Sequence, residues 1–346
     1  DRNGFFTPKQ SNKINFTPVP SSVILTPTTY PLPSPPSSFV LTQTSFVSQT
    51  FNNCGPASLS MVMSIFGRNV SQEELGAQMR PFNNPYGGVD DKSIFAEEFV
   101  TYGKLYGFES SNHVNGDITK LKQFVSNGIP VVVRTWLNTY EDIGHFRIVR
   151  GYDDVRGVVI QDDSYQGPNL EYSYSDFDSL WQPFNYGYIL VYPKEKQVIV
   201  DRILGEEKDP NVALKKSITR AESELARNPN SIYPIFNMST ANFYLGNVEK
   251  AALLYEQVEY SLPPRMLWYQ LEPFEMYMKL SNYDKVIQMT DTILNGGNLA
   301  FSELYYMRGK IFEEQQNIGA AKMEFEKSVY YNLNFLPAKE SLKKYQ

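Results

Sequence analysis

The spacing of apolar and polar residues changes along the chain and divides it into parts of different character. Helical spacing of apolar residues predicts a helix that begins near Pro56, and further helices over residues 72–79, 92–107 and 117–128. Continuous or alternating apolar residues predict strands over residues 129–137, 145–152, 157–162 and 186–193. Helices followed by antiparallel strands indicate an α+β domain, which we assign to residues 41–200.

Residues 208–346 contain almost no strand pattern and carry an internal repeat. One small or apolar position recurs every 35 residues, at Ala251, Val286 and Ala321. Helix pairs with a period of about 34 residues are typical of tetratricopeptide repeats, and this region resembles that family. The resemblance implies an all-α domain that binds a protein partner, with a plain helical bundle as the alternative. We expect its core to be separate from that of the α+β domain.

Residues 1–40 lack hydrophobic periodicity and hold eight of the 22 prolines. Proline fixes φ and removes a backbone donor, which favours an extended arm or linker over a packed element. Mixtures of Pro, Ser and Thr are typical of spacers in exported proteins, so we expect a bacterial-type cell-surface or extracellular protein. Because the first residue is Asp1, we also expect that a leader has been removed. Residues 21–26 and 38–44 have the pattern of strands that add to a sheet edge.

Charge and composition argue against several classes of function. The net charge is −6 and the isoelectric point about 5.2, which gives no electrostatic basis for binding nucleic acid. No run of about 18 apolar residues occurs, so we expect no membrane span. One cysteine and two histidines are too few for an internal disulfide or a Cys/His zinc site, and the paired aspartates lack an EF-hand pattern. We therefore predict no metal and no cofactor.

The single cysteine, Cys54, stands at the predicted start of the first helix, just before Gly55 and Pro56. A helix N-terminus stabilises a thiolate through its free N–H groups and its dipole. Proline suits the first helical turn, and glycine allows a substrate to approach the backbone. This setting favours a nucleophile, with a buried structural cysteine as the alternative.

A nucleophilic thiol needs a base, a group that orients the base, and a donor for the oxyanion. His145 begins a predicted strand after a glycine and is the candidate base, whereas His113 lies among turn-forming residues and is expected in a solvated loop. Asp162 ends the next predicted strand, which a turn near residues 153–157 returns beside His145, so Asp162 is the candidate orienting carboxylate. Gln49, five residues before the cysteine, is the candidate oxyanion donor.

These segments resemble the C39-like branch of the papain-like cysteine peptidases. The resemblance rests on QTFNNCGPASLSMVM, GHFRIVRGYDD and VVIQDDSY, and it covers roughly residues 45–193. It implies a papain-like fold with Cys54 as nucleophile, His145 as general base and acid, Asp162 as orienting residue and Gln49 as oxyanion donor. Gln49 is one residue closer to the cysteine than is usual in the family. Asp163 stands where proline often follows the orienting aspartate, which leaves Asp163 as the alternative to Asp162.

The sequence thus predicts an exported cysteine peptidase that hydrolyses peptide or amide bonds in a peptide or protein substrate. Helical repeats would bind the protein substrate or a partner. An amidase or acyltransferase is the enzymatic alternative, because a Cys–His pair can also transfer an acyl group. A cell-surface binding or assembly protein with a papain-like fold is the non-catalytic alternative, and the presence of Cys, His and Asp together favours the enzyme.

Overall fold

The computed structural model of the chain describes residues 32–42, 45–82 and 93–345. Most of the expected arm, including the predicted edge strand at residues 21–26, therefore lies outside the described residues. Residues Ser34–Gln346 form one compact unit. Within the described ranges, no helix is both long and apolar enough to cross a bilayer.

The α+β region has most of its helices and strands where hydrophobic spacing predicts them. Its helices are α1 (Cys54–Ile65), α2 (Gln72–Met79), α3 (Ala96–Leu105), α4 (Ile118–Ser126) and α5 (Tyr174–Trp181). Its strands are β1 (Ser38–Val40), β2 (Glu109–His113), β3 (Val131–Trp136), β4 (Gly144–Asp153), β5 (Val158–Asp163), β6 (Gly167–Ser173) and β7 (Tyr188–Tyr192). Strands β2 and β6 were not predicted, because their sequences lack apolar alternation.

The strands form one antiparallel sheet in the order β2-β7-β3-β4-β5-β6. β1 pairs with the end of β4. The prediction that residues 38–44 add to a sheet is therefore confirmed for residues 38–40. β4 lies in the middle of the sheet and begins beside the end of β3, where Gly144 pairs with Trp136. Helix α1 packs its apolar face on Phe146 and Ile148 of β4, so the first turn of α1 lies close to the start of that strand.

One extra residue interrupts the pairing of β4 with β5. Near the hairpin turn Gly151 pairs with Ile160, but farther along Val149 pairs with Gln161, which leaves Arg150 between the two pairs. A bulge of one residue reverses the face on which the later side chains of the partner strand lie. The bulge therefore determines which aspartate at the end of β5 faces the start of β4.

The described part of the C-terminal region consists of helices and their connections. Its α-helices are α6 (Gln197–Leu204), α7 (Pro210–Arg227), α8 (Ile232–Tyr244), α9 (Val248–Glu256), α10 (Glu272–Lys279), α11 (Tyr283–Asn295), α12 (Ser302–Glu314), α13 (Ile318–Tyr331) and α14 (Leu336–Lys343). Three-residue loops join α8 to α9, α10 to α11 and α12 to α13, which gives three successive helical hairpins. Ala251, Val286 and Ala321 are fully buried in the second helix of each hairpin.

The α+β and all-α predictions for the two regions are therefore confirmed. The regular spacing of the hairpins agrees with the resemblance to tetratricopeptide repeats, and that assignment itself stays a prediction. The expectation of separate cores is wrong, because one hydrophobic cluster contains Trp136 and Phe184 from the α+β region together with Tyr269 and Phe274 from the helical region. The ring centroids of Trp136 and Tyr269 are 5.9 Å apart. These aromatic side chains exclude water from the boundary between the two regions.

Candidate active site

Cys54 is the first residue of α1, and neighbouring side chains fix this helix start. Asn53, the preceding residue, accepts a hydrogen bond from Arg80 Nη1 through its Oδ1 over 3.0 Å. Gly55 packs so closely on Ile94 that a Cβ atom at Gly55 would lie 2.8 Å from Ile94 Cγ1. Cys54 is therefore held in place at a helix N-terminus, and the residue is half-buried.

The Cys54 thiol contacts the ring of His145 on β4. The His145 ring and the backbone of Phe146 both lie close enough to the thiol to stabilise its ionised form. Burial raises the pKa of the thiol, but the hydrogen bond and charge of His145 outweigh burial, with help from the Phe146 backbone and the Arg134 charge. The pKa of Cys54 is consequently below its ordinary value, which favours a thiolate.

Asp163 holds the other side of the His145 ring. His145 Nε2 lies 2.8 Å from Asp163 Oδ1, which leaves Nδ1 available to the thiol. Burial lowers the pKa of His145, yet the hydrogen bonds and charges of Asp163 and Cys54 raise it to about 9. Thiolate and imidazolium stabilise one another, so the pair titrates as a unit and is charged near neutral pH.

Arg147 fixes the Asp163 carboxylate from the side opposite the ring. Its Nε donates to Asp163 Oδ2 over 2.8 Å, its Nη1 donates to the Thr135 hydroxyl over 2.9 Å, and its Nη2 donates to the Leu137 carbonyl. Burial raises the pKa of Asp163, but the hydrogen bonds and charges of His145 and Arg147 hold it well below its ordinary value. Both Asp163 oxygens therefore have fixed cationic partners.

Asp162, the orienting residue expected from the sequence, is not the carboxylate on the His145 ring. Its Oδ2 accepts from Arg150 Nε over 2.8 Å, and its Oδ1 accepts from the Asn169 backbone N–H over 2.9 Å. If the pairing found near the hairpin turn continued unchanged along β5, Asp162 would lie on the same face of the sheet as His145. The extra residue Arg150 shifts that register by one and brings Asp163 there instead.

Gln49 lies beside the end of β5, next to Asp163. Its backbone N–H donates to the Ser164 carbonyl and its Oε1 accepts from the Ser164 hydroxyl, both over 2.8 Å. Gln72 of α2 holds the same segment, because its Oε1 accepts from the Thr50 N–H over 2.9 Å and its Nε2 donates to the Ser48 carbonyl over 2.8 Å. The side-chain oxygen of Gln49 is thus anchored, and its amide nitrogen is left to donate elsewhere.

His113 lies on β2 and not in a solvated loop, so that expectation is wrong. Its Nε2 is 2.8 Å from Ser111 Oγ, and its ring stacks on Tyr188 with centroids 5.1 Å apart. Burial lowers the pKa of His113 to about 4. The partner strand β7 supplies the pairing and the stacking, which the polar sequence of β2 does not reveal.

Sequence reasoning also missed three residues that hold the site: Arg147, Arg150 and Gln72. The sequence does contain a sign of the two arginines, because each is a cation within an otherwise apolar strand, and a buried cation requires a buried anion. The sequence contains no such sign of Gln72, because its contacts with residues 48 and 50 join segments far apart in the sequence.

The helical region contributes a wall of the site. A Cβ atom at Gly144, the residue before the histidine, would lie 2.8 Å from the ring of Tyr269. The Tyr269 carbonyl accepts from Arg134 Nη1 over 2.9 Å, and the Arg134 guanidinium lies 4.3 Å from the centroid of Phe146. A segment between α9 and α10 therefore covers the surface next to His145.

Comparison with known proteins finds a peptidase family for part of the chain. A model of the Peptidase_C39 like family matches residues 41–189. A protein described as a C39-like peptidase from Bacillus anthracis is 16% identical, with a TM-score of 0.37 over 45% of this chain and 98% of its own. The peptidase domain of Streptococcus ComA, a bifunctional ABC transporter involved in quorum sensing, is 24% identical, with a TM-score of 0.33 over 43% of this chain and 97% of its own. No curated protein matches the chain.

The matched segment contains the thiol, the ring and the carboxylate described above. It also contains the helices and most strands of the antiparallel sheet. Residues 41–189 therefore form a C39-like peptidase domain with a papain-like α+β fold, and an all-helical region follows it.

Proposed function

We propose that the protein is a cysteine peptidase that hydrolyses peptide bonds through Cys54, His145 and Asp163. The observation that carries the proposal is the continuous series of contacts from the thiol to the ring, to the carboxylate and to Arg147. This series lowers the pKa of the thiol of a half-buried cysteine at a helix N-terminus, which is the setting of a reactive cysteine.

In the proposed reaction the Cys54 thiolate attacks the carbonyl carbon, and negative charge moves to the carbonyl oxygen. The backbone N–H of Cys54 and Nε2 of Gln49 donate to that oxyanion. The His145 imidazolium gives its proton to the leaving amine as the C–N bond breaks, which leaves a thioester on the sulfur. Water then attacks the thioester, His145 takes the proton from that water, and the acid product leaves with thiolate and imidazolium restored.

Asp163 and Arg147 have positioning roles in this proposal. The carboxylate keeps the proton on His145 Nε2 and so directs Nδ1 toward the thiol and the leaving group. Arg147 keeps Asp163 anionic, because its guanidinium pairs with the second carboxylate oxygen inside the protein. A neutral Asp163 would stabilise the imidazolium less.

We further propose that the helical hairpins bind a protein substrate or partner and that the protein acts outside the cell or at its surface. Exposed apolar side chains on the hairpins and their connections support the first point: Tyr244, Leu253 and Tyr260 are 53, 62 and 90% exposed. The prolines of residues 1–40 support the second, because Pro-rich spacers are typical of exported proteins.

Alkylation of Cys54 by iodoacetamide tests the reactivity of the thiol. We expect labelling near pH 6 to be almost as fast as near pH 8, because a free thiol with a pKa of about 8.5 is mostly protonated at pH 6 and the paired thiol is not. His145→Ala should restore the steep pH dependence of an ordinary thiol. A folded protein that iodoacetamide does not label at any pH up to about 9 would contradict the proposal and favour a non-catalytic binding protein.

Cleavage of denatured proteome peptides, mapped by mass spectrometry against Cys54→Ala, tests the activity itself. The matched variants Asp163→Asn and Asp162→Asn then separate the two aspartates. We expect Asp163→Asn to slow cleavage by about tenfold or more, because the amide no longer stabilises the imidazolium. Asp162→Asn should lower the free energy of unfolding, because it leaves the buried Arg150 without its anion, but it should keep the cleavage rate of the folded protein within about twofold of the wild type. The reverse order of effects would restore Asp162 as the orienting residue.

A further inference from the structure

We propose that the cavity beside Cys54 is a substrate subsite for the side chain of a lysine or arginine next to the scissile bond. This inference rests on the proposed function, because it names the class of peptide that the same site would cleave. Three features of the described residues carry it, namely the position of the cavity, its unpaired carboxylates and its apolar lining.

The cavity is lined by residues of the sheet and of the helical region, and it shares two residues with the surroundings of the thiol. Its volume is about 890 Å³, and its lining includes Phe146, Arg134 and Tyr269 but not Cys54 or His145 themselves. The Phe146 backbone lies close to the thiol of Cys54, and the charge of Arg134 acts on it. A side chain in this cavity therefore belongs to a residue close to the carbonyl that Cys54 would attack.

Five carboxylates line the cavity, and three of them form no ion pair with a described residue. Glu97 lies in the first turn of α3, and Glu272 and Glu275 lie in the first turn of α10. The Asn112 amide donates to Glu97 over 3.2 Å, and the Tyr244 hydroxyl donates to Glu272 Oε1 over 3.0 Å. The other oxygen of Glu272, Oε2, is buried without a hydrogen-bond partner in the described part of the chain.

The carboxylates repel one another across the cavity. Burial and the charges of Glu275 and Glu97 raise the pKa of Glu272 to about 7. Burial and the charge of Glu97 likewise raise the pKa of Glu275. The helix dipole explains why acidic residues lie in the first turn of each helix. It does not explain why two helices direct these carboxylates into the same cavity. Perturbed charges in a cavity are typical of binding sites, and a bound cation would relieve the repulsion.

The protein's own cations around the cavity are engaged with other groups. Arg134 donates to the carbonyls of Tyr269 and Ile94, Lys208 bonds to Asp201, and Lys279 lies over the ring of Phe243. His113, which also lines the cavity, has a pKa of about 4 and is neutral. The charge of Lys279 acts on Glu275, whose pKa stays raised nevertheless. The carboxylates are therefore available to a cation from a substrate.

The lining fits an organic cation with an apolar stem. In the ranges that the structure describes, no three His, Cys, Asp or Glu side chains are grouped closely enough to hold a metal ion. Phe146, Phe184, Tyr269 and Leu271 supply apolar surface along the cavity. A lysine or arginine side chain has its apolar stem near the peptide backbone and its charge at the tip. The stem would contact the aromatic surface, and the tip would reach the carboxylates.

The test uses thiol-directed peptides that differ by one ammonium group. Acetyl-Gly-Lys and acetyl-Lys-Gly chloromethyl ketones place lysine at the two positions before the reactive carbon, and bromoacetyl-Lys-amide places it after that carbon. Each probe has a norleucine counterpart, and mass spectrometry follows the labelling of Cys54 in the full chain. We expect one lysine probe to react about tenfold faster than its counterpart, with a ratio that falls at high salt.

Substitutions of the carboxylates locate the preference. Glu272→Gln combined with Glu97→Gln should bring the ratio of lysine to norleucine labelling close to one. Glu249→Gln is the matched control, because Glu249 also lies in the first turn of a helix, α9, but is exposed and does not line the cavity. This control should leave the ratio unchanged. A lysine preference that survives the double substitution would overturn the assignment to these carboxylates.

Iodoacetamide separates this inference from the proposed function. If iodoacetamide labels Cys54 near pH 6 but every lysine probe reacts at the rate of its norleucine counterpart, the subsite inference is wrong and the peptidase proposal stands. If iodoacetamide does not label the folded protein at any pH, both are wrong. A labelling ratio that falls by the same amount in Glu249→Gln and in the double variant would show that the preference comes from overall charge, which also contradicts the subsite.

Discussion

The two connections between successive helical hairpins occupy equivalent places in the repeat but differ in structure. Residues 257–271 join α9 to α10, and residues 296–301 join α11 to α12. The spacing of 35 residues is kept across both, so the first connection is not an insertion. Instead α9 and α10 have 9 and 8 residues, whereas α11 and α12 have 13 each. The first connection is longer because the two helix ends beside it are unwound.

Proline limits how far α9 could extend into the first connection. Pro263 and Pro264 stand side by side in the first connection. Proline has no N–H for the helix and its ring clashes with the preceding turn, so α9 cannot continue through these residues. The second connection contains no proline and begins with Gly296 and Gly297, which are typical of a helix C-terminus. The same place in the repeat is thus a plain helix end in the second connection and an irregular segment in the first.

The irregular segment is the one that reaches the candidate active site. The ring of Tyr269 in the first connection packs on Gly144, next to His145. In the second connection the ring of Phe301 stacks on Phe95 with centroids 6.0 Å apart. Both side chains belong to the same hydrophobic cluster. The comparison therefore indicates that both connections stabilise the packing of the two regions, and that only the first also shapes the cleft.

The largest expected effect is that of Tyr269→Ala compared with Phe301→Ala. Both substitutions remove a buried ring and should lower the free energy of unfolding by about 3–5 kcal/mol, measured by chemical denaturation. Only Tyr269→Ala should also increase the labelling of Cys54 by a bulky maleimide relative to iodoacetamide, because it opens the space above Gly144. Tyr269→Leu is the milder variant if the alanine protein does not fold. An equal change of the labelling ratio in Phe301→Ala would refute the distinction between the connections.

The next effect is overpacking by one methyl group at two glycines. At Gly309 a Cβ atom would lie 2.5 Å from Phe325 Cε1, within a helical hairpin far from Cys54 in the sequence. We expect Gly309→Ala to lower the free energy of unfolding by about 1–3 kcal/mol without changing the alkylation rate of Cys54. Gly144→Ala should cost a similar amount and also displace Tyr269 from the site, which the maleimide ratio measures. If Gly144→Ala leaves that ratio unchanged, Tyr269 does not control access.

The helices and strands that the sequence did predict are those that bury a face. Most elements of the α+β region follow from hydrophobic spacing, because the sheet and α1 bury their apolar positions together. Strands β2 and β6 lie at the two ends of the sheet order, where a strand has one neighbour and buries less surface. Their polar sequences therefore carry little periodicity. The unwound connection was likewise missed, because the repeat spacing continues through it.

The site could be predicted by residue type more easily than by register. Cys54 and His145 come together as expected, since the start of a helix and the start of a central strand meet at one end of the core. The choice between Asp162 and Asp163 depends on one extra residue in β4, and hydrophobic patterning does not encode it. Arg150, the residue at the bulge, pairs with Asp162 and so gives the aspartate that does not contact His145 a partner of its own.

A smaller effect concerns the pH dependence of stability at the end of the first connection. Glu272 has a pKa of about 7 in the folded protein, above its ordinary value of 4.5. A carboxyl group with a raised pKa favours the folded state less as pH rises from the unfolded value through the folded value. We therefore expect Glu272→Gln to stabilise the protein by on the order of 1 kcal/mol near pH 8 and to have little effect near pH 4. Denaturation of Glu272→Gln and Glu249→Gln at both pH values checks this, and equal shifts in the two variants would contradict it.

The smallest expected effect is that of loosening the first connection where it meets the loop between β3 and β4. The Arg265 backbone N–H donates to Asp142 Oδ2 over 3.0 Å, and the Arg265 guanidinium lies 3.6 Å from Asp142 Oδ1. Asp142→Asn keeps an acceptor for the N–H but removes the ion pair, which is partly exposed and worth little in water. We expect Asp142→Asn to lower the free energy of unfolding, measured by thermal denaturation, by less than about 1 kcal/mol, and we expect high salt to make this difference smaller still. The maleimide ratio should not change. Asp142→Ala also removes the acceptor and should cost more, by about 1 kcal/mol. A change of the maleimide ratio in Asp142→Asn as large as that in Tyr269→Ala would mean that the charge, and not the packed ring, holds this connection over the site.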